Sequence, residues 1–499
     1  MADTKREIER KYESDDSGLP DLTGVAGVEA VVDKGVVHLD ATYYDTPDER
    51  LVASSVTLRR RTGGSDAGWH LKLPVSEGVR DEIRAPLSDT LPGELAALVR
   101  SRVRDVEPVP VIRLRSDRDV RHLLDADGQL LAEVSVDAVH AERLSGGVGD
   151  AQWTEIEVEL ADGGDPAFLD KVEKRLRKAG VRPSRSASKL ARALAETAPK
   201  RKRPAGKDPV TAGDHVLAYV RAQRDAIVAL DPAVRQDVED SVHGMRVATR
   251  RLRSAFKSYG KVLDRAVTDP IGDELKWLAG ELGVDRDREV LSERLSAALD
   301  EVPGALVSGP VAERLSAWAG ERPGGASARL VGVLDSRRHL ALLDALDALI
   351  ADPPLLGAAG RKPRKVIAKA VRKDFRKVAG LVGRALELEP GTDRDKAMHE
   401  ARKKAKRTRY AAEAARPALG KPAKSMVKSM KALQNLLGEH QDGVMARRTL
   451  RELSAVAHAA GESAFTYGLL YGREEQRAAA VEAELPGFWD GIRGTADAL

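Results

Sequence analysis

What most constrains this chain is a strand-like alternation in which charged residues of both signs, rather than apolar ones, recur on one face. In a β-strand, residues i, i+2 and i+4 share a face. Glu7, Glu9 and Lys11 therefore point one way, as do Arg59 and Arg61, His70 and Lys72, Glu82 and Arg84, Arg113 and Arg115, Glu133 and Asp137, and Glu155, Glu157 and Glu159. The residues between them are apolar: Ile8, Leu58, Leu71, Ile83, Leu114, Ile156 and Val158. One such strand is an ordinary solvated strand. Seven of them admit two folds. One is a sheet with a single salt-bridged solvent face. The other is a sheet closed into a barrel, its apolar face buried under surrounding layers and its charged face lining a lumen. Spacing alone does not choose. The lumen has a chemical logic, because cations bind phosphoryl oxygens and carboxylates hold a hard divalent metal.

Past residue 160 the pattern changes to helical, with stretches at 166–176 and 186–196. A Pro/Gly linker with a basic run spans 199–209, and helices follow to the end. Charge changes at the same place. Residues 1–200 carry 30 basic and 37 acidic side chains, and residues 201–499 carry 52 and 41. A net of −7 followed by +11 predicts two domains, the second with a polyanionic partner. The chain has no cysteine, which excludes disulfides, thiolate metal sites and cysteine nucleophiles. Its N-terminus lacks the apolar stretch of a signal peptide, and no run of about 18 apolar residues is present. A cytoplasmic protein with no membrane association is expected.

The second half repeats itself. His243, Arg246, Arg250, Arg251 and Arg253 align with His399, Arg402, Lys406, Arg407 and Arg409, and Leu282-Gly283 aligns with Leu437-Gly438. The two offsets are 156 and 155 residues. Their agreement predicts a duplicated helical unit, about 210–350 and 360–499, packed with pseudo-symmetry. His243, Arg246, Arg250, Arg253 and Lys257 share one helix face. So do His399, Arg402, Lys406 and Arg409, joined at the edge by Lys403. Lys365, Lys369, Arg372 and Arg376 form a third stripe, and Lys421, Lys424, Lys428 and Lys431 a fourth. None contains an acid. Like charges at this spacing destabilise a helix by a few tenths of a kcal/mol per pair, so four stripes of one sign point to an anionic ligand. Neither histidine has metal-ligand spacing apart from the adjacent Glu400, which disfavours zinc. The stripes hold almost no aromatics, Tyr259 and Tyr410 being the nearest, which disfavours single-stranded nucleic acid and favours a base-free polyphosphate.

Glu7-Ile8-Glu9-Arg10-Lys11 resembles the E-x-E-x-K signature of the CYTH (triphosphate tunnel metalloenzyme) family. Thr42 to Pro47, Leu58 to Arg61, Leu71-Lys72, Arg80 to Glu82, Glu155 to Glu157 and Ser188-Lys189 are similar to that family in the same order. The resemblance spans about residues 4–197. It implies an α+β domain over residues 1–198, an antiparallel eight-stranded β-tunnel that binds and hydrolyses triphosphates with Mg²⁺ or Mn²⁺. By position it implies phosphate binding by Lys11, Arg59, Arg61, Lys72, Arg84, Arg113, Arg115, Arg118 and Lys189, with Arg115 and Arg118 as alternatives in one strand. It implies metal binding by Glu7, Glu9, Glu155, Glu157 and Glu159, and catalytic work by Glu7, Glu9 and Lys11. Glu82, Glu133 and Asp137 complete the lumen. Val242 to Arg253, Met398 to Lys403 and Leu436 to Asp442 resemble the CHAD family (conserved histidine α-helical domain). That implies an all-α domain over 210–499, a pair of pseudo-symmetric four-helix bundles that bind inorganic polyphosphate and target polyphosphate granules. Together the two resemblances imply a polyphosphate-binding protein with a metal-dependent inorganic triphosphatase acting on tripolyphosphate. The alternatives are a non-catalytic polyphosphate scaffold and a thiamine or nucleoside triphosphatase.

Overall fold

The structure, a computed structural model, describes residues 3–14, 18–147, 149–197, 208–283, 286–320 and 326–499. The expected linker falls outside these except for residues 208 and 209, as does the predicted break at 323–325. The chain divides into two compact units, Met1–Ala205 and Gly206–Leu499.

The first unit holds strands β1 (Asp3–Glu13), β2 (Ala30–Asp45), β3 (Thr57–Thr62), β4 (Gly68–Ser76), β5 (Val79–Ala85), β6 (Val109–Leu124), β7 (Leu130–Arg143), β8 (Asp150–Leu160) and β9 (Arg182–Pro183). Its helices are α1 (Arg50–Ala53), α2 (Gly93–Val103), α3 (Ala167–Lys178) and α4 (Lys189–Thr197). The strand order is β5-β4-β3-β2-β6-β7-β8-β1, and β1 also pairs with β5. β1 closes the ring by splitting its partners: Asp3 to Ile8 bond to β5, and Glu9 to Glu13 bond to β8. This is a closed eight-stranded antiparallel barrel, with the two-residue β9 as an extra pairing on β1. The salt-bridged open sheet is thereby excluded.

Apolar residues on the outside of the barrel explain why the charged ones face inward. Leu58, Leu71 and Ile83 are covered by Leu51 of α1 and by Leu95 and Val99 of α2. Val134, Ile156 and Val158 are covered by Phe168, Leu169, Val172 and Leu176 of α3. Fully burying each such side chain stabilises the fold by about 1.5–3 kcal/mol. Helix α2 lies in a stretch read mainly as strands; its Leu95, Leu98, Val99 and Val103 have helical spacing. A third cluster joins Tyr43, Leu114, Val139 and Trp153 to Leu190, Ala193 and Leu194 of α4. Those strand residues have the parity of the lumen, so α4 plugs one end of the barrel from inside.

The second unit is helical: α5 (Ala212–Arg235), α6 (Ser241–Ser258), α7 (Arg265–Glu281), α8 (Arg286–Asp300), α9 (Val311–Gly320), α10 (Ala326–Asp335), α11 (Arg337–Ala351), α12 (Pro363–Glu387), α13 (Thr392–Leu419), α14 (Lys421–Ala459) and α15 (Phe465–Ile492). Shifting α5 and α6 by about 156 residues lands them on α12 and α13. Shifting α7 and α8 by 155 lands both on α14, so one long helix of the second repeat is two in the first. The repeats interleave. One core draws on α5, α6 and α7 together with α12, α13 and α14. The other joins α8 and α9 to Ala446 through Ala457 of α14 and to Tyr467 and Leu470 of α15. Buried Glu474 of α15 ties them further, accepting from Arg294 of α8 at 2.8 Å. Among the described residues no helix is long and apolar enough to cross a membrane.

Candidate functional site

The barrel encloses a cavity of about 470 Å³. Ten basic side chains and eight carboxylates line it, so the lumen carries a surplus of positive charge. Strand parity puts them there: Lys5, Glu7, Glu9 and Lys11 from β1; Arg59 and Arg61 from β3; Lys72 from β4; Glu82 and Arg84 from β5; Arg118 from β6; Glu133 from β7; Glu157 and Glu159 from β8. Lys189, the first residue of α4, enters from the plugged end.

The lumen charges that the sequence singled out meet opposite ones, except Glu133, which stands 3.5 Å from the His122 imidazole. Lys11 binds Glu157, and Glu9 at 3.1 Å. Lys72 binds Glu7, and lies 3.5 Å from Glu82. Arg84 reaches Glu82 at 2.5 Å and Glu7 at 3.8 Å. Glu82 is fully buried. Burial alone would raise its pKa, yet the hydrogen bond from His70, with Lys72 and Arg59, holds it far below the usual carboxylate range. The His70 imidazole is on the same face as Lys72, buried 2.9 Å from Glu82, and burial drops its pKa to about 4. Burial, then repulsion from Arg59 and Arg118, lowers Arg61 to about 9.

Asp137, Glu155 and Glu157 bring carboxylate oxygens within 4.8 Å of one another. The Lys189 ammonium is ion-paired with all three carboxylates, at 3.0, 2.8 and 2.6 Å. Arg118 adds bonds to Asp137 at 2.7 Å and Glu157 at 2.8 Å. A second acidic group faces the cavity. Glu159 stands opposite Glu9 on one side and opposite Glu133 on the other. Like charges directly opposite across strands are destabilising; Lys5 meets Glu159 at 2.8 Å. Such a donor set, all carboxylate oxygen, suits a hard divalent cation. Glu7, beside this row, has its pKa raised by burial and by Glu82 and Glu159 against the pull of Lys72.

Two expected phosphate ligands stand elsewhere. Arg113 is bound to Asp40 at 2.6 Å and Arg115 to Glu142 at 3.5 Å, both on the outside of β6. Arg118 has the opposite parity and is the arginine of β6 in the lumen. Glu155 lies beneath Lys189 and does not line the cavity; Trp153 donates to it at 2.6 Å. The structure adds Lys5, Arg80, Tyr43 and Asp66 to the lumen. Lys5 was legible as the period-2 position before Glu7. Asp66 is a loop residue, bound to Arg61, and carries no periodic signal.

In the helical unit α6 and α13 meet so that Arg246, Arg250, Arg402, Lys406 and Arg409 converge. Burial, then repulsion from Arg250, Arg402, Arg409 and Arg246, lowers Lys406 to about 8. Asp442 of α14 faces Arg402 and Lys406, and Glu413 of α13 meets Arg409 at 3.5 Å. Arg253 continues the face half-buried, and Lys257 and His243 are exposed on it. His399 is half-buried beside Glu400, and Lys403 turns outward onto Glu400. Both nearby tyrosines are buried. Tyr259 donates to Ala411 O at 2.6 Å, and Tyr410 lies under the guanidinium of Arg409, 4.7 Å away.

The other two stripes divide. Asp374 of α12 faces α6 and α13, accepting from Ser258 and Arg407. Arg372 and Arg376 are two residues, roughly 200°, around the helix from it, so the stripe with Lys365 and Lys369 does not join the convergence. Arg372 instead holds the Leu499 carbonyl at 2.6 Å. Lys424, Lys428 and Lys431 are exposed on α14. Lys431 lies seven residues before Gly438, on the face that α14 turns to Arg402.

The Lys406 environment gives a pH test. Its charged form is repelled by Arg250, Arg402, Arg409 and Arg246, and Asp442 faces it with the opposite charge. An anionic ligand favours that charged form. Affinity for a polyanion should therefore fall about three- to ten-fold between pH 7 and 9, with proton uptake on binding seen by calorimetry in two buffers. Lys406→Met should flatten the profile. Because this lysine's pKa is depressed, its charge costs stability below pH 8, so the ligand-free variant should be more stable than wild type at pH 7.

The CYTH domain family matches residues 5–194 and the CHAD domain family residues 218–451. An uncharacterized protein of Mycobacterium tuberculosis (strain CDC 1551 / Oshkosh) is 39% identical over 495 residues, covering 96% of this chain and 94% of the relative. Among solved structures, PptA from Streptomyces chartreusis is similar at 21% identity and a TM-score of 0.47, over 57% of this chain and 100% of its own. The CHAD domain from the plant Ricinus communis is similar at 24% identity and a TM-score of 0.43, over 60% of this chain and 97% of its own. The chain belongs to the proteins that join an N-terminal CYTH domain to a C-terminal CHAD domain.

Proposed function

We propose that this protein binds inorganic polyphosphate through its CHAD domain and hydrolyses short polyphosphate, tripolyphosphate above all, in its CYTH barrel. The observation that carries the reading is the pairing of two cationic sites built for oxyanions without bases. One is the barrel lumen, rich in arginine and lysine beside a row of carboxylates. The other is the α6–α13 convergence, whose nearby tyrosines are buried and so offer no surface on which a base could stack.

Arg59, Arg61, Lys72, Arg84, Arg118 and Lys5 would grip phosphoryl oxygens, each exchanging a carboxylate partner for the substrate. Glu7, Glu9, Glu157 and Glu159 would hold the divalent cation, Mg²⁺ or Mn²⁺, whose bound charge supplies Lewis acidity toward the phosphoryl group. Lys11, held between Glu9 and Glu157, would fix those two carboxylates and position water for in-line attack. Lys189 would hold the acid triad closed behind the reacting end. Association with polyphosphate granules would follow from the affinity of the helical unit.

Two measurements on the full chain test the reading. It should bind long-chain polyphosphate at least about ten-fold more tightly than single-stranded DNA of equal charge, and both should weaken with salt. It should also release phosphate from tripolyphosphate with Mg²⁺ or Mn²⁺, and faster than from thiamine or nucleoside triphosphates. Equal affinity for the two polymers would overturn the first claim. Metal-dependent binding without phosphate release would make the barrel a scaffold.

A further inference from the structure

We propose that Gly283 and Gly438 are a pair of positioning residues. Each would leave the space that holds the guanidinium of Arg246 or Arg402 in place to meet a phosphate polyanion, Arg246 lying flat over Gly283 and Arg402 standing edge-on to Gly438. The proposal rests on reading the α6–α13 convergence as a polyanion site.

Neither glycine is there for its backbone. Both are buried, and neither has a left-handed φ. Gly438 sits inside the 39-residue α14, where glycine is among the least favourable choices for a helix interior. What distinguishes them is the space above. A Cβ added at Gly283 would stand 2.8 Å from Arg246 Cζ, 2.8 Å from Nη2 and 3.0 Å from Nε. One added at Gly438 would stand 3.5 Å from Arg402 Nε, 3.6 Å from Nη2 and 4.0 Å from Cζ. At Gly283, Cζ is as near as the nitrogens, so the face of the Arg246 guanidinium covers the glycine; at Gly438 both nitrogens are nearer than Cζ, so Arg402 turns its Nε–Nη2 edge toward it. A guanidinium donates in its plane, so lying flat leaves the Arg246 donors directed sideways. Arg246 and Arg402 are equivalent in the internal repeat, and so are the two glycines. At both repeat-equivalent positions the missing Cβ leaves room for a guanidinium, face-on at Gly283 and edge-on at Gly438, around the same Lys406.

The distances also predict a graded response. At Gly283 even a methyl displaces the guanidinium, and the displaced atoms are the far end of a flexible side chain, so the fold should tolerate it. At Gly438 a methyl makes ordinary contact and a larger side chain is needed. With long-chain polyphosphate as the probe and the full chain as the protein, G283A should weaken binding about three- to ten-fold. G438A should bind within about two-fold of wild type and raise the melting temperature by about 2 °C. G438L should weaken binding about as much as G283A, with its fold checked by circular dichroism and its melting temperature recorded. In chains already carrying Arg246→Ala or Arg402→Ala, the matching glycine substitution should cost no further affinity, because the glycine acts only through its arginine. Wild-type affinity in both G283A and G438L, or equal losses with the arginines removed, would overturn the proposal. Failure of the wild-type chain to bind polyphosphate would instead overturn the reading of the site itself, and that measurement comes first.

Discussion

Lys189→Met is expected to destabilise the barrel by about 3–5 kcal/mol at neutral pH, the usual cost of removing one partner from a buried ion-pair network. Methionine keeps the apolar stem and removes only the ammonium that Asp137, Glu155 and Glu157 share. Asp137 and Glu157 retain Arg118, and Glu155 is left with the Trp153 N–H. Three buried carboxylates then repel one another with too little positive charge among them. The loss depends on pH in a defined way. Burial works against ionised Asp137 and Glu157, but Lys189 and Arg118, with Lys11 at Glu157, hold both below the usual range. The stability they contribute is present above the unfolded carboxylate pKa, near 4, and is lost as pH falls. Lys189 is shifted the other way: burial pulls it down, and the three carboxylates more than reverse this. Its contribution is present below the unfolded lysine pKa, about 10.4, and is lost as pH rises beyond it. The gap between wild type and variant should therefore be widest between about pH 5 and 10. Calorimetry across that range measures it, and a loss below about 1 kcal/mol would show the triad to be solvated. The emptied triad, with oxygens within 4.8 Å, should also accept a divalent cation, so Mn²⁺ should raise the variant's melting temperature more than the wild type's. Equal shifts would mean that the three acids are no cage for a cation.

The same network shows what the sequence could and could not disclose. The alternation leaves an open sheet and a closed barrel equally admissible, and the CYTH resemblance supplies the closure; once the barrel closes, its charges turn inward because Leu58, Leu71, Ile83, Ile156 and Val158 have only the outside left to cover. The alternation misleads at the plugged end. There the lumen is itself apolar, lined by Leu114, Val139 and Trp153 against α4. Taking Leu114 as an outward residue puts Arg113 and Arg115 inside, and they are outside with Asp40 and Glu142. Arg118 was available as the alternative of opposite parity, but parity does not say which side is which until the plug is known. In the helices, period and repeat locate Arg246, Arg250, Arg402 and Lys406 together. They do not orient α12, whose basic stripe turns away because Asp374 is claimed by Ser258 and Arg407 from two other helices. Spacing within one helix is legible from sequence; its rotation against its neighbours depends on packing that only the fold supplies.

Glu7→Gln is expected to lower metal-dependent phosphate release from tripolyphosphate by at least about 100-fold, since even groups one step behind a metal ligand cost 10–100-fold. Among the carboxylates proposed to hold the cation, Glu7 is the one whose pKa is raised: burial, Glu82 and Glu159 outweigh Lys72. A divalent cation would reverse that balance, so metal should bind Glu7 in competition with a proton and activity should fall as pH drops toward its pKa. The raised pKa also separates loss of function from loss of fold. A carboxyl whose pKa rises on folding favours the native state when protonated, and that contribution disappears as pH climbs through the folded-state value. At neutral pH ionised Glu7 is therefore a burden to the barrel, which the neutral amide lifts. The Glu7→Gln protein should be at least as stable as wild type at pH 7, and its polyphosphate affinity, set by the helical domain, should not change. Turnover equal to wild type would remove Glu7 from the reaction, and with it the carboxylate row as the metal's seat. A stable, polyphosphate-binding, inactive protein would leave the barrel as the place where the phosphoanhydride is cut.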